Sequence, residues 1–135
     1  MSQATIRAAL EGHLKVWADA HGLPVAWENS DLTPTTNHLR CFILPSQIQN
    51  PSMGVEHKRY RGILRVQYFS TALNEYARPI ESIMDQLVDL FPRGLAIEKD
   101  GLTVNIQSTP SMSRLYIDGQ WVYSNIETDY RAEKY

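Results

Sequence analysis

The chain has 135 residues, of which 43% are hydrophobic and 21% are charged, and its formal net charge at pH 7 is −2. This composition excludes intrinsic disorder, and the small negative charge excludes long-range attraction to nucleic acid or to an anionic membrane. The single cysteine, Cys41, excludes an internal disulfide framework and a zinc site built from several cysteines.

The first segment of the chain has the periodicity of an amphipathic helix. Gly22 and Pro24 end this predicted helix, and Gly12 inside it predicts close packing against a neighbouring element. Because the segment lacks the basic start and apolar core of a signal peptide, and no apolar run reaches about 18 residues, we expect a protein that stays in the cytoplasm. The predicted apolar face consists of Ile6, Ala9, Leu10, His13, Leu14, Trp17 and Ala20.

Two strands and a long connection are predicted next. Residues 25–28 have the pattern of a short strand. Residues 39–44 are apolar at nearly every position, which predicts a central strand covered on both faces. Residues 45–58 have no period, and long loops of this kind inside compact domains are often functional. This predicted loop carries three apolar side chains, Ile48, Met53 and Val55.

Residues 59–69 form the clearest predicted strand, because apolar and polar side chains alternate along it. Tyr60 faces the apolar side, whereas Arg59, Arg61 and Arg65 face the other. Nucleic-acid binding is disfavoured, because bases could not stack on Tyr60 while arginines on the opposite face held their phosphates. We expect the arginines to pair with carboxylates, in the same chain or across a subunit boundary, and we favour the subunit boundary.

A second helix is predicted from about residue 75 to residue 91, and Pro92 and Gly94 end it. Its apolar stripe includes Ile80, Met84 and Leu87. Glu81, Asp85 and Asp89 recur every four residues on the opposite face. This acidic row is interpreted as a solvated surface or as one that faces a basic partner.

The remaining sequence predicts a β-meander. Residues 95–98, 102–107, 114–117 and 120–131 have strand patterns; Lys99-Asp100-Gly101 is predicted as the turn between the first two, and Asp118-Gly119 has the composition of a two-residue hairpin turn. The order of elements is therefore helix, strands, helix, strands. This order predicts an α+β fold, with a mostly antiparallel sheet flanked by two helices in a single domain of residues 1–135.

A search for chemistry gives no catalytic, metal or cofactor site, so no enzyme is predicted. The sequence has no nucleophile elbow, phosphate-binding loop or dinucleotide fingerprint. A metal site formed by His38 and His57 across the fold is conceivable but is not expected. His13, on the apolar face of the first helix, is interpreted as a packing residue, and Cys41 as a buried, inert thiol.

Several segments together resemble a known family. They are residues 6–10 (IRAAL), 25–29 (VAWEN), 39–45 (LRCFILP), 60–62 (YRG), 87–92 (LVDLFP), 118–121 (DGQW) and 130–132 (YRA). In this order they resemble the small tail-terminator or minor tail proteins of siphophages and their prophages. The motifs are packing and turn signatures, so the resemblance assigns no functional residue.

The resemblance implies a structural protein of the virion tail, assembled in the host cytoplasm, without cofactor, specific nucleic-acid binding or membrane contact. It implies a homo-hexameric ring that caps the tail tube and docks to the head–tail connector or neck. The partners are then other copies of the chain, the tail tube protein and the neck protein. The predicted contact residues are Ile48, Met53, Val55, Arg59, Arg61, Arg65, Glu81, Asp85 and Asp89.

Three alternatives remain open on the sequence. A head–tail connector or neck protein of the same virion would have similar patterns. A small cytoplasmic enzyme or ligand-binding domain predicts a deep pocket with convergent polar groups and a shifted pKa. A nucleic-acid-binding protein predicts binding that weakens steeply with salt.

Overall fold

The computed structural model describes residues 2–28, 36–49, 58–71 and 77–134. These residues form two helices and eight strands. In chain order the elements are α1 (Ser2–Ala20), β1 (Val25–Ala26), β2 (His38–Gln49), β3 (Lys58–Ser70), α2 (Ala77–Leu90), β4 (Ala96–Lys99), β5 (Leu102–Ile106), β6 (Ser111–Met112), β7 (Tyr116–Asp118) and β8 (Trp121–Lys134).

The described strands form one mixed sheet in the order β1-β2-β3-β8-β5-β4, and β6 and β7 also pair with β8. Strands β1 and β2 run parallel, and the other pairs run antiparallel. The 14-residue β8 pairs with β3 along one edge and with β7, β6 and β5 in succession along the other. The sheet curls around this long strand, which refines the predicted antiparallel sheet to a curled, mixed one.

The core lies between one face of this sheet and the two helices. Strand β3 alternates as predicted, with Tyr60, Leu64, Val66 and Tyr68 buried on the core side. Helix α1 contacts β4 and β5, whereas α2 contacts β3, β6 and β8. Both helices therefore cover the same face. The fully buried helix side chains are Ile6, Leu10, Leu14, Ala18, Ile80, Met84 and Leu87.

Strand β2 differs from its prediction in two respects. Leu39, Cys41 and Ile43 are buried, but Arg40 and Leu44 are exposed, so only one face of the strand is covered. The strand also continues to Gln49 through an irregularity between Pro45 and Gln47, because β3 supplies pairing partners along its whole length. The predicted loop is therefore wrong for residues 45–49 and for Lys58, which begins β3, and residues 50–57 lie outside the described part.

Positive backbone angles mark two of the predicted turns. Asp100 and Gly101 both have positive φ, 52° and 81°, which is the type I′ geometry that favours this pair of residues. In the second hairpin Asp118 pairs with Trp121, so the turn residues are Gly119 and Gln120, one position later than predicted. Gly119 has a φ of 61°, which only glycine adopts without cost.

Candidate interaction surfaces

The face of the sheet opposite the helices presents three of the nine candidate residues, Arg59, Arg61 and Arg65. We call the side of β2, β3 and β8 that the helices do not cover the outer face. Register places Phe42, Arg65 and Glu127 in one cross-strand row of this face, and Leu44, Ile63 and Asp129 in the next. Apolar and charged side chains are therefore mixed on a surface that no described element of the chain covers.

Two of the three candidate arginines already have partners inside the chain. Arg59 Nε lies 2.6 Å from Glu133 Oε1, and an Arg65 terminal nitrogen lies 3.0 Å from Glu127 Oε1. Both carboxylates come from β8, which lies next to β3. The intrachain alternative for these arginines is therefore realised, and a role for them at a subunit boundary stays a prediction.

Arg61 is in a different situation. It lies directly opposite Arg131 of β8, and no carboxylate of the described residues lies within ion-pair distance of either side chain. Arg131 Nε is buried without a hydrogen-bond partner among these residues. The two arginines line a depression of about 380 Å³ together with Ser46, Gln107 and Asp129. Like charges directly opposite on neighbouring strands are destabilising, so this pair suits an anionic partner.

The acidic row of α2 is exposed as the sequence predicted. Glu81, Asp85 and Asp89 all point away from the core side chains Ile80, Met84 and Leu87, which share the helix. None of the three carboxylates forms an ion pair with the described part of the chain. Binding of a basic partner by this row stays a prediction.

The apolar candidates are represented by Ile48, since Met53 and Val55 lie outside the described residues. Ile48 pairs with Tyr60, whose side chain belongs to the core, so the two residues share the core side of the sheet. Tyr60 is 7% exposed, but Ile48 is 67% exposed. The apolar face of the sheet thus extends beyond its helical cover at this end of β2.

A row of aromatic rings crosses the outer face at the opposite end of β2. His38 stacks on Phe69 with ring centroids 5.0 Å apart, and Phe69 stacks on Tyr123 at 4.8 Å. Tyr116 of β7 continues the row at 5.2 Å from Tyr123. Sequence reasoning missed this row, because only the register between four strands brings these residues together. Phe69 and Tyr123, the inner rings of the row, each stack against a neighbour on both sides, so neither offers a free face to a base.

Cations flank this row, and a depression of about 400 Å³ adjoins it. The Arg40 guanidinium lies 5.0 Å from the Phe69 ring centroid, and Arg114 lies 5.2 Å from that of Tyr116. Trp121 packs edge-on against His38, with centroids 5.0 Å apart. The depression is lined by His38, Arg40, Gln67, Phe69, Asp118, Trp121 and Tyr123.

His38 is the titratable group of this depression whose chemistry is perturbed. The side chain is 1% exposed, and its Nδ1 lies 2.9 Å from Thr36 O, so Nδ1 carries the proton and donates it to that carbonyl. Burial lowers the pKa of His38, and the positive charge of Arg40 lowers it further. Nε2 is then an acceptor, but it is buried and has no hydrogen-bond partner in the described residues. It is therefore out of reach of a substrate in solution.

Two single residues behave as the sequence predicted. Burial raises the pKa of the Cys41 thiol to about 12, so almost none of the reactive thiolate is present at neutral pH. His13 Nε2 lies 2.8 Å from Leu90 O, and its ring contacts the edge of Phe91, which joins the two helices. His13 is therefore a packing residue.

The described residues contain no group of three or more histidine, cysteine or carboxylate side chains that is arranged to hold a metal ion. His57, the second residue of the conceivable metal pair, lies outside these residues. In the same part of the chain, neither helix has the length and apolar character that crossing a bilayer requires.

Comparison with known proteins decides the family. The model of the phage tail terminator protein family matches residues 5–130 of the chain. The chain belongs to the phage tail terminator family. As a member, it has a structural role in the phage tail and is a component of the virion tail.

Solved structures agree with this terminator fold, but they add no function. One solved protein is 30% identical to the chain, with a TM-score of 0.83. The match covers 100% of this chain and 98% of the other, whose name describes no activity. No curated protein matches the chain.

Proposed function

We propose that this tail terminator caps the tail tube as a ring of six copies, which ends tube polymerisation and offers the head–tail connector a docking surface. The observation that carries the proposal is the family match over residues 5–130. On this proposal the protein acts through shape-matched contacts, catalyses nothing and needs no cofactor. Its partners are further copies of itself, the tail tube protein and the connector or neck protein.

The surfaces of the chain support this proposal physically. A head-to-tail contact that repeats around an axis closes into a ring when its rotation fits the number of copies. Such a contact needs on the order of 1,000 Å² of buried surface to be stable. The outer face and the uncovered end of β2 offer mixed apolar and charged area for this purpose. Two different surfaces are needed, because a ring whose two sides were equivalent would let the tube continue to grow.

Purified tail tubes provide the direct test. The protein is mixed with tubes and with free tube subunits, and tube ends and tube lengths are measured by negative-stain electron microscopy. We expect one ring at a single end of each tube and no further elongation at that end. Tubes that grow past the added protein, or binding to isolated connectors without binding to tubes, would refute capping and favour a neck protein.

Ile48 is the residue at which the contact between the terminator and the tube end is best tested. Because residues 47–49 belong to β2, deleting the segment would remove strand pairing, so a substitution is preferable. We expect Ile48→Glu to leave the fold intact, since the side chain is 67% exposed, but to reduce binding to tube ends at least tenfold. Binding is measured as the fraction of capped tubes against protein concentration.

A matched control is available on another strand. Ile117 of β7 is 75% exposed, so Ile117→Glu makes the same change in a similar setting. We expect this control to cap tubes like the wild-type protein. Capping that is equally strong for Ile48→Glu and Ile117→Glu would exclude the end of β2 from the contact.

A further inference from the structure

Charges of opposite sign that have no ion-pair partner among the described residues lie on opposite sides of this molecule. Arg61 and Arg131 lie on the outer face, and the described residues give neither an ion pair. Glu81, Asp85 and Asp89 lie on the exposed side of α2, the helix that covers the other face of the same sheet. The sheet and the helix separate the two groups, so they cannot neutralise each other within one chain.

We propose that the Arg61–Arg131 pair of one copy binds the carboxylate row of α2 in the next copy around the ring. This contact rests on the proposed ring. It is heterologous, since the two surfaces differ and lie on opposite sides of each subunit, and a closed ring repeats such a contact between each pair of neighbours. The occupant of the arginine depression is therefore a second copy of this chain.

Arg61 and Arg131, which have no ion-pair partner in the described part of the chain, differ from the neighbouring arginines in their surroundings. Arg59 and Arg65, on the same strand, already bind Glu133 and Glu127, and their charge is locally compensated. Arg61 instead faces Arg131, and the depression that they share holds a single carboxylate, Asp129. A further carboxylate placed there relieves the repulsion between the guanidinium groups and forms charge-assisted hydrogen bonds.

The spacing of the acidic row suits it to binding the two arginines of a neighbouring copy. Residues four apart on a helix lie about 6 Å from each other along its axis, so α2 presents a short line of carboxylates to the facing arginines. Without a cation these like charges repel one another, as the two arginines do. Contact between neighbouring copies removes both repulsions at once, which favours this partner over a polyanion such as nucleic acid.

Charge reversal and charge exchange test the contact. Arg61→Glu and Asp85→Arg are chosen because both side chains are exposed, so neither change disturbs the core. We expect each single variant to raise the protein concentration for half-maximal ring formation, on tube ends or in solution, by about tenfold or more. The double variant, which restores opposite charges in exchanged positions, should return this concentration towards that of the wild type.

Matched controls separate this effect from net charge. Lys99→Glu and Glu98→Arg reverse two exposed charges on β4 and change the net charge by the same amounts. We expect both controls to assemble like the wild type. Circular dichroism and urea denaturation check that every variant is folded.

The outcomes are distinguishable. If the wild-type protein and both single variants form rings at the same concentration, the contact is overturned, and the proposed capping function stays in place. Reversals that destroy the ring without rescue in the double variant would also overturn it, and would direct the arginines to the tube protein or to nucleic acid. Absence of any wild-type ring, in solution and on tubes, would overturn the contact together with the proposed function.

Discussion

Gly62 is the residue at which the sheet leaves no room for a side chain. A Cβ at this position would collide with the ring and hydroxyl of Tyr130 and would lie 2.7 Å from Leu44 O. Because β3 is held between β2 and β8, the backbone cannot move away without losing pairing. We expect Gly62→Ala to lower the free energy of unfolding by about 1–3 kcal/mol, measured by urea denaturation.

Gly12 provides the opposite case and the control. A Cβ there would meet nothing within 4 Å, so the close packing predicted for this glycine from the sequence is wrong. Glycine in a helix interior only costs stability, and Gly12→Ala should raise the free energy of unfolding by about 0.5–1 kcal/mol. If Gly62→Ala were as stable as the wild type, the close approach of Tyr130 to β3 would be contradicted.

His38 gives the fold a pH dependence of known sign. Burial lowers the pKa of His38 below the ordinary value of 6.5. Just below pH 6.5, His38 is therefore mostly protonated in the unfolded chain but still mostly neutral in the folded chain. The folded state is then favoured fully above about pH 6.5, and this contribution is lost as pH falls through the lower, folded pKa. We expect the urea midpoint to decrease as the pH is lowered from about 7 to about 5.

A variant isolates this contribution from those of other groups. His38→Phe keeps a ring between Phe69 and Trp121 but removes the titratable nitrogen atoms. The midpoint of this variant should decrease less over the same pH range. An identical decrease in variant and wild type would show that His38 does not cause it.

At the scale of elements, local pattern predicts most of this fold. The alternation in β3 and the three- and four-residue spacing in α1 and α2 are properties of the sequence itself, and each element buries the predicted face, except that the last turn of α1 buries Ala18 and exposes Ala20. Glycines with positive φ end α1 at Gly22 and make the turn at Gly101 where expected. These features were predictable because each depends only on the residues of one element and on which of its faces is buried.

Features that depend on pairing between distant strands were not predictable in this way. The partners of Arg59 and Arg65 lie 74 and 62 residues away along the chain, and only register selects them. The aromatic row depends on the same registers. Strand β2 was predicted to be covered on both sides, because its apolar Phe42 and Leu44 resemble core residues even though they lie on the outer face.

At the scale of the whole molecule, the sequence indicates the family, but it does not indicate which charges remain available for contacts. The arginines of β3 look equivalent in the sequence, but within the described residues Arg59 and Arg65 form ion pairs and Arg61 does not. The difference arises because Glu127 and Glu133 face Arg65 and Arg59, whereas Arg131 faces Arg61. The charges that an assembly protein offers for contacts are thus those that its own fold does not pair.

This division has a consequence for ring assembly in salt. The proposed contact joins the exposed charges of Arg61 and of the α2 row beside the half-buried Arg131. The screening length falls from about 10 Å at 0.1 M salt to about 3 Å at 1 M. The apolar contact through Ile48 is not screened. We therefore expect subunit-to-subunit association, followed by light scattering, to weaken as sodium chloride is raised over this range, while the urea midpoint of the fold changes little.

The charge variants make this expectation specific. Arg61→Glu should respond less to salt than the wild type, because the attraction that salt screens has been replaced by a repulsion. The double variant Arg61→Glu/Asp85→Arg should regain the wild-type response. Rings that persist unchanged at about 1 M salt would mean that apolar area holds the subunits together, and that Arg61 and Arg131 serve a contact outside the ring.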